Sequence, residues 1–133
     1  MASELRVNTL KDAAGNNSVA MTNVARGALK AWVNFNGTGT IAARGSLGLS
    51  SLADNGTGQF GINYASAWSA VTYAFTGTMG QDTATSRTTG GMMFDDQGST
   101  PSTTAHRTVA RNKGNANNVD CANIHCLVVG DLA

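Results

Sequence analysis

The residues of this chain that could carry out catalysis are two histidines, His106 and His125, and eight acidic side chains. A glycoside hydrolase needs two carboxyl groups that face each other across a sugar. Asp95 or Asp96 together with Asp120 could supply such a pair at a seam between subunits. No Gly-x-Ser-x-Gly nucleophile motif is present, and each histidine lies in an alternating run that is typical of a structural or surface residue. We therefore expect no catalytic residue and no enzymatic activity, with a glycan-cleaving enzyme as the weaker alternative.

The sequence also lacks the motifs that hold metals and cofactors. The segment 95–98, DDQG, does not have the alternating ligand spacing of a calcium loop. The two Gly-Thr-Gly sequences, at 37–39 and 56–58, are not followed by the Lys-Ser/Thr of a phosphate-binding loop. Both are better explained as tight turns. We expect no metal and no cofactor.

The two cysteines, Cys121 and Cys126, do not make a zinc signature by themselves. If both lie on one strand, they point to opposite faces and are about 16 Å apart. A disulfide would then need a turn or a second chain. We expect reduced thiols that pack as small apolar groups.

The composition favours a single β domain with few charged residues. The chain has 133 residues, a net charge of +1 and only 13% charged residues, so it has no basic excess for binding nucleic acid. A surface of Ser, Thr, Asn and Gly suits a repetitive assembly or a surface covered by other subunits. No apolar run reaches membrane length, and residues 1–6 contain no apolar core of a secretion signal. We expect a protein made in a cytoplasm, without membrane insertion.

Alternating apolar residues predict antiparallel strands from residue 28 onward. One face of the first strand carries Leu29, Ala31, Val33 and Phe35, while Trp32 lies on the other face. Asn36-Gly and Asp54-Asn-Gly are hairpin turn sequences, and Gly45 and Gly48 suit bulges or close contacts. The remaining inward residues are predicted at two groups of alternating positions: Phe60, Ile62 and Tyr64, and Val71, Tyr73 and Phe75.

The rest of the chain predicts loops and three further strands. Loops are expected at 77–86, 95–102 and 112–118, and short strands at 90–94 and 106–111. The last strand, 122–129, is apolar on both faces, with Leu127 and Val129 opposite Ile124, Cys126 and Val128. A second subunit could cover the extra face, or the strand could lie between two sheets of one chain. The pattern predicts an all-β fold, an antiparallel, jelly-roll-like β-sandwich over residues 28–133.

Residues 1–27 predict an extended N-terminal arm. Two short extended segments flank a turn at Gly15 and Asn16, and they hold too few large apolar residues for a core. We expect this arm to become ordered by docking on neighbouring chains. The candidate docking residues are its apolar side chains, Leu5, Val7, Leu10, Val19 and Met21.

The alternation predicts that Trp32, a large aromatic side chain, lies on the exposed face of its strand. A tryptophan on a polar strand face could stack on a sugar ring, or it could be buried between subunits, where Trp is enriched. We favour the subunit interface, with Leu127 and Val129 as further interface candidates.

The segment 28–64 resembles a recurrent element of phage tail-fibre and related virion structural proteins. The resemblance lies in KAWVNFNGTG at 30–39, SSLA at 50–53, DNGTG at 54–58 and the alternating strand 59–64. The segments LRVNTLKDAAGNN at 5–17 and CLVVGDL at 126–132 are also similar to parts of such chains. The resemblance covers about residues 5–76 and, more weakly, the C-terminus, whereas residues 77–120 match nothing in the family.

The resemblance implies a homotrimeric β-structured protein of the virion, assembled in the host cytoplasm. The leading hypothesis is a tail-fibre or tail-tip protein that docks on other virion proteins by its arm. Loops 77–88 and 95–104 would then face a host cell-surface glycan or protein. The alternative is a capsid decoration or cement protein that stabilises the shell.

Overall fold

The computed structural model describes residues 6–80, 91–95, 100–112 and 117–131, and within 91–95 it describes the side chain of Met93. The fold is all-β with antiparallel sheets, as predicted. The described residues form ten strands and one helix: β1 (Thr9–Lys11), β2 (Ser18–Ala20), α1 (Met21–Gly27), β3 (Leu29–Asn36), β4 (Ala42–Leu47), β5 (Leu49–Gly56), β6 (Gln59–Tyr64), β7 (Ala74–Gly80), β8 (Gly91–Asp95), β9 (Ala105–Asn112) and β10 (Asn123–Val129).

The first four-stranded sheet has the order β4-β3-β10-β7. In β3 the alternation predicted from the sequence is realised, because Ala31, Val33 and Phe35 are buried while Trp32 lies on the outer face. The last strand, β10, is central and pairs with both β3 and β7. Its central position explains why it is so apolar, although only its inner face is covered by the second sheet.

The second four-stranded sheet has the order β5-β6-β9-β8. Phe60, Ile62 and Tyr64 on β6 are buried, as the alternation predicts. They contribute to one apolar cluster with the inner residues of the first sheet. The rings of Phe35 and Phe60, one from each sheet, meet edge to face with centroids 5.2 Å apart. The two sheets therefore share a single core.

Both predicted hairpins are confirmed, although the second turn falls at Thr57 and Gly58, because β5 continues to Gly56. Asp54 Oδ1 accepts a hydrogen bond from the Gly56 amide at 3.0 Å, and Gly56 and Gly58 have φ angles of 123° and 65°. These left-handed conformations favour glycine. At the other turn, a Cβ on Gly37 would lie 2.6 Å from Ile124 Cδ1, so only glycine fits against the core there.

Trp68 forms part of the core although it lies in the connection before β7. It is 2% exposed, and its indole ring meets Tyr64 edge to face at 5.2 Å. The Trp68 amide donates to the Thr103 carbonyl at 2.8 Å. This tryptophan is therefore a structural side chain.

The N-terminal segment forms a hairpin followed by a helix. The strands β1 and β2 pair around a turn in which Asp12 accepts hydrogen bonds from Asn16 and Asn17. Those bonds lower the pKa of the Asp12 carboxyl, the Asn17 side chain contributing most. None of β1, β2 or α1 contains a buried residue. Arg26 Nε donates to Asp131 Oδ2 at 2.9 Å, which ties α1 to the end of the described chain.

Four details of the prediction are wrong. Residues 21–24, expected to be extended, begin α1. The expected loop at 77–80 is the end of β7, where the backbone pairs with β10. Leu29 and Val71, expected to face inward, are 41% and 53% exposed. Leu29 lies where the β3–β10 register shifts, and Val71 precedes β7, so neither follows the alternation of a regular strand.

Candidate functional site

A row of large apolar side chains crosses the outer face of the first sheet. The register places Trp32 of β3 opposite Leu47 of β4 on one side and Leu127 of β10 on the other. Residues directly opposite in an antiparallel pair project to the same face. Leu47 is 50% exposed and Leu127 is 45% exposed. Three adjacent strands thus present a continuous apolar strip to solvent.

The Trp32 indole lies over β4 because Gly45 leaves room for it. A Cβ on Gly45 would lie 3.2 Å from Cη2 of Trp32. The same part of β4 contains a register shift, with Gly45 paired to Asn34 and Ala43 paired to Phe35. The sequence prediction of a bulge or close contact at Gly45 is confirmed. Packing against this glycine leaves Trp32 half-buried and holds its ring beside Leu47.

Two further apolar residues extend the strip toward the N-terminal segment. Val129, half-buried, pairs with Leu29 of β3 across the register shift and with Ala74 of β7. We refer to the five side chains Leu29, Trp32, Leu47, Leu127 and Val129 as the outer apolar face. The three predicted interface residues are therefore neighbours, while Leu47 was missed. Its register with Trp32, which requires the bulge in β4, is not evident from sequence.

Polar residues border the outer apolar face on one side. The register places Asn34 and Thr78 on either side of His125, which is exposed. Beside them, Arg44 Nη1 donates to Asn123 Oδ1 at 3.0 Å. An apolar centre with a polar border is the usual anatomy of a protein–protein interface.

The predicted docking residues of the N-terminal segment are mostly exposed. Val7, Leu10 and Val19 are 37%, 43% and 38% exposed, and Met21 is half-buried at the start of α1. Leu5 lies outside the described residues. Leu10 and Val19 are register partners in the β1–β2 hairpin, so both project to one side of it. Two apolar side chains therefore lie together on a hairpin that contains no buried residue.

Of the acidic residues considered for glycan cleavage, only Asp120 has a described side chain, so the structure does not show the proposed pair. Asp96 and the Asp95 side chain lie outside the described part of the structure. Asp120 Oδ1 accepts a hydrogen bond from the Gly58 amide at 2.6 Å, which is a turn-stabilising role. Within the described ranges, no three side chains of His, Cys, Asp or Glu converge as metal ligands.

Both cysteines are free and buried. Cys126 lies on β10, whereas Cys121 precedes that strand, so the two do not share a strand. Both pack in the apolar core, as expected. Burial raises the pKa of the Cys126 thiol to about 12 and also raises that of Cys121, to which Asp120 adds a smaller effect. Both thiols therefore remain protonated and unreactive at neutral pH.

An aromatic cluster surrounds His106 between the sheets. His106 is 2% exposed, and its ring lies 4.4 Å from that of Phe75 and 5.7 Å from that of Tyr64. The Tyr64 hydroxyl hydrogen-bonds with Nδ1 of His106, the donor being set by the imidazole tautomer. Burial lowers the pKa of His106 to about 4 and raises that of Tyr64, to which Tyr73 also contributes. His106 is thus neutral at pH 7.

A cavity of about 420 Å³ adjoins this cluster, where β7 and β8 meet at the edges of the two sheets. It is lined by Val71, Tyr73, Phe75, Thr76, Gly77, Met93, Pro101 and His106. A Cβ on Gly77 would lie 3.1 Å from Phe75 Cζ and 3.2 Å from Met93 Cβ. Gly77 is therefore closely packed between these two side chains, and a larger residue there would have to displace them. The cavity was not evident from sequence, because residues 77–80 resemble a loop.

Comparison of the chain with protein-family models, curated proteins and solved structures found no match. No helix among the described residues is long and apolar enough to cross a membrane.

Proposed function

We propose that this chain is a structural protein of a bacteriophage virion, a tail-fibre or tail-tip component that forms a homotrimer. The observation that carries the proposal is the outer apolar face. Solvent contact with Trp32, Leu47 and Leu127 is unfavourable, and association of copies removes it. The low charge and the resemblance of segments 28–64 and 5–17 to phage virion proteins agree with this role.

In this proposal the two sheets form a jelly-roll-like β-sandwich, and residues 1–27 are the docking arm. The shared core supports the sandwich, as does the pairing of β3 with β10, the first and last strands of the two sheets. The exposed Leu10 and Val19 support docking on another virion protein. Residues 81–88 and 96–104 would present a host-contacting surface; of these, 81–88 and 96–99 lie outside the described residues.

The assembly proposal is tested by the oligomeric state of the purified chain and of Leu127→Lys. Light scattering after size-exclusion chromatography is expected to give the mass of a trimer for the natural sequence. A buried leucine contributes about 1.5–3 kcal/mol, so Leu127→Lys is expected to weaken association at least about tenfold and shift the chain toward monomer.

The matched control for this experiment is Val71→Lys. Val71 is 53% exposed and lies off the outer apolar face, so the same charge there is expected to leave the mass unchanged. Circular dichroism verifies that both variants fold. A natural chain that stays monomeric at high concentration, or a Leu127→Lys variant that associates as well as the natural chain, would contradict the proposal.

The capsid decoration alternative shares the trimer and the docking arm, and the copy number in the virion separates the two. Hundreds of copies would place the chain in the shell, whereas a few dozen or fewer would place it in the tail. Binding of the purified trimer to host cells is expected only for the tail component.

A further inference from the structure

The chain contains two Asn-Gly dipeptides, Asn36-Gly37 and Asn55-Gly56, and each lies at a hairpin. An asparagine followed by glycine can modify itself. The glycine nitrogen attacks the side-chain carbon Cγ of the asparagine, the new N–Cγ bond closes a succinimide ring, and the side-chain nitrogen leaves as ammonia. Water then opens the ring to aspartate or isoaspartate, so one water is consumed for each ammonia released. Glycine favours the reaction because no Cβ crowds the attacking nitrogen.

The fold blocks this reaction at Asn36. Gly37 is buried, and its amide donates to the Cys121 carbonyl at 2.9 Å, so the attacking nitrogen is held in a backbone hydrogen bond. Both ends of the Asn36 carboxamide are also engaged. Its Nδ2 donates to the Thr38 carbonyl at 2.8 Å, and its Oδ1 accepts from the Thr38 hydroxyl at 2.8 Å. A Cβ on Gly37 would lie 2.6 Å from Ile124 Cδ1, so the glycine cannot shift to meet the side chain.

The surroundings of Asn55 differ in each of these respects. Asn55 and its sequence neighbours Asp54 and Gly56 are all exposed. The β5–β6 register shifts between Asp54 and Gly56, so Asn55 is the extra residue of a bulge and lies outside the ladder. The backbone around it is therefore less constrained than that of a paired strand residue.

The nitrogen that must attack at this turn is easily released. The Gly56 amide donates to Asp54 Oδ1 at 3.0 Å, and rotation of that exposed carboxylate frees it without unpairing a strand. The Asn55 carboxamide lies over Gly61 of β6, where a Cβ would be 3.1 Å from its Nδ2. Rotation about the Cα–Cβ bond of Asn55 brings it back to the Gly56 nitrogen.

We propose that Asn55 is a site of spontaneous deamidation in the folded protein, whereas Asn36 reacts only when the chain unfolds. The product adds one negative charge to a turn that already carries the carboxylates of Asp54 and Asp120. Isoaspartate would lengthen the backbone by one methylene at a position where the register already shifts, so the hairpin is expected to stay folded. The β5–β6 hairpin belongs to the second sheet and the outer apolar face to the first, so the proposal does not rest on the proposed assembly.

The test is prolonged incubation of the purified, folded protein in mildly alkaline buffer at physiological temperature. Tryptic peptides 31–44 and 45–87 separate the two dipeptides, and fragmentation by mass spectrometry assigns the modified residue. A sample digested without incubation corrects for reaction during digestion. Asn55 is expected to react at least about tenfold faster than Asn36 in the folded protein. In guanidinium chloride the two rates should become comparable, because the hydrogen bonds that protect Asn36 are lost. Equal rates in the folded protein, or reaction of Asn55 only in guanidinium chloride, would overturn the proposal.

Two variants confirm the position by ion-exchange chromatography, which separates the more acidic product. Asn55→Gln is expected to stop its accumulation, because a longer side chain forms the ring much more slowly. Asn63→Gln, at another asparagine of the same tryptic peptide that is followed by tyrosine, is the control and should accumulate the product at the natural rate. Equal accumulation in Asn55→Gln and in the natural chain would place the reaction elsewhere and remove the assignment.

Discussion

At the residue scale, His106 shows how burial sets the chemistry of a side chain. Its sequence context, an alternating run, predicts a structural or surface histidine. The fold encloses it among Tyr64, Tyr73 and Phe75, and one ring nitrogen pairs with the Tyr64 hydroxyl. Burial removes water from the ring, so the protonated form is disfavoured and the pKa falls to about 4.

This depressed pKa predicts a loss of stability in acid. Between about pH 6.5 and pH 4 the unfolded chain binds a proton at His106 that the folded chain does not, so the free energy of unfolding falls as the pH is lowered. The shift corresponds to about 3 kcal/mol at most. Urea unfolding at several pH values would measure the slope.

The variant His106→Gln is expected to lose this part of the pH dependence, while carboxyl groups continue to contribute theirs. His125→Gln, at an exposed position on β10, is the matched control and should keep the natural slope. An identical pH dependence in His106→Gln and in the natural chain would contradict the prediction.

At the element scale, the N-terminal segment lies outside the core that the two four-stranded sheets share. Its hairpin and helix follow local rules, with a turn closed by Asp12 and one ion pair between Arg26 and Asp131. It buries no side chain. A hairpin with so little packing is marginal in water, so we expect a partner to stabilise it.

Limited trypsin digestion of monomeric protein is expected to cut rapidly at Lys11 and Arg26, both exposed, and to leave a folded fragment that begins at Gly27. The free energy of unfolding of that fragment should lie within about 0.5 kcal/mol of that of the intact chain. Arg107 is an internal control, because it lies within β9 and is cut only after that strand unfolds. Rapid cleavage confined to sites after residue 27 would contradict the prediction.

At the scale of the whole molecule, the protein combines little charge with several exposed large apolar side chains. The net charge is +1 and only 13% of residues are charged, while large apolar side chains are exposed on one sheet and on the arm. Attraction between copies should therefore come from apolar burial, which salt screens little, and not from ion pairs.

Association of the natural chain is accordingly expected to change by less than about threefold between about 0.05 M and 0.5 M NaCl. Sedimentation equilibrium at both salt concentrations would measure it. A fall of tenfold or more with added salt would show that ion pairs hold the copies together, and the outer apolar face would lose its proposed role.

Local sequence determined part of the strands and turns of this protein. Alternation in β3 and β6 and the hairpin at Asp54-Asn-Gly could be read directly, because side-chain period and turn chemistry depend on neighbouring residues only. Trp32 was placed on the outer face for the same reason.

Only the tertiary structure decided which distant residues meet. Leu47 joins Trp32 through a bulge, and Gly77 belongs to a strand because β10 pairs with it. His106 acquires its neutral state from rings far away in the chain. Register and burial depend on contacts between segments that no local pattern encodes, and for that reason both the full outer apolar face and the cavity were absent from the prediction.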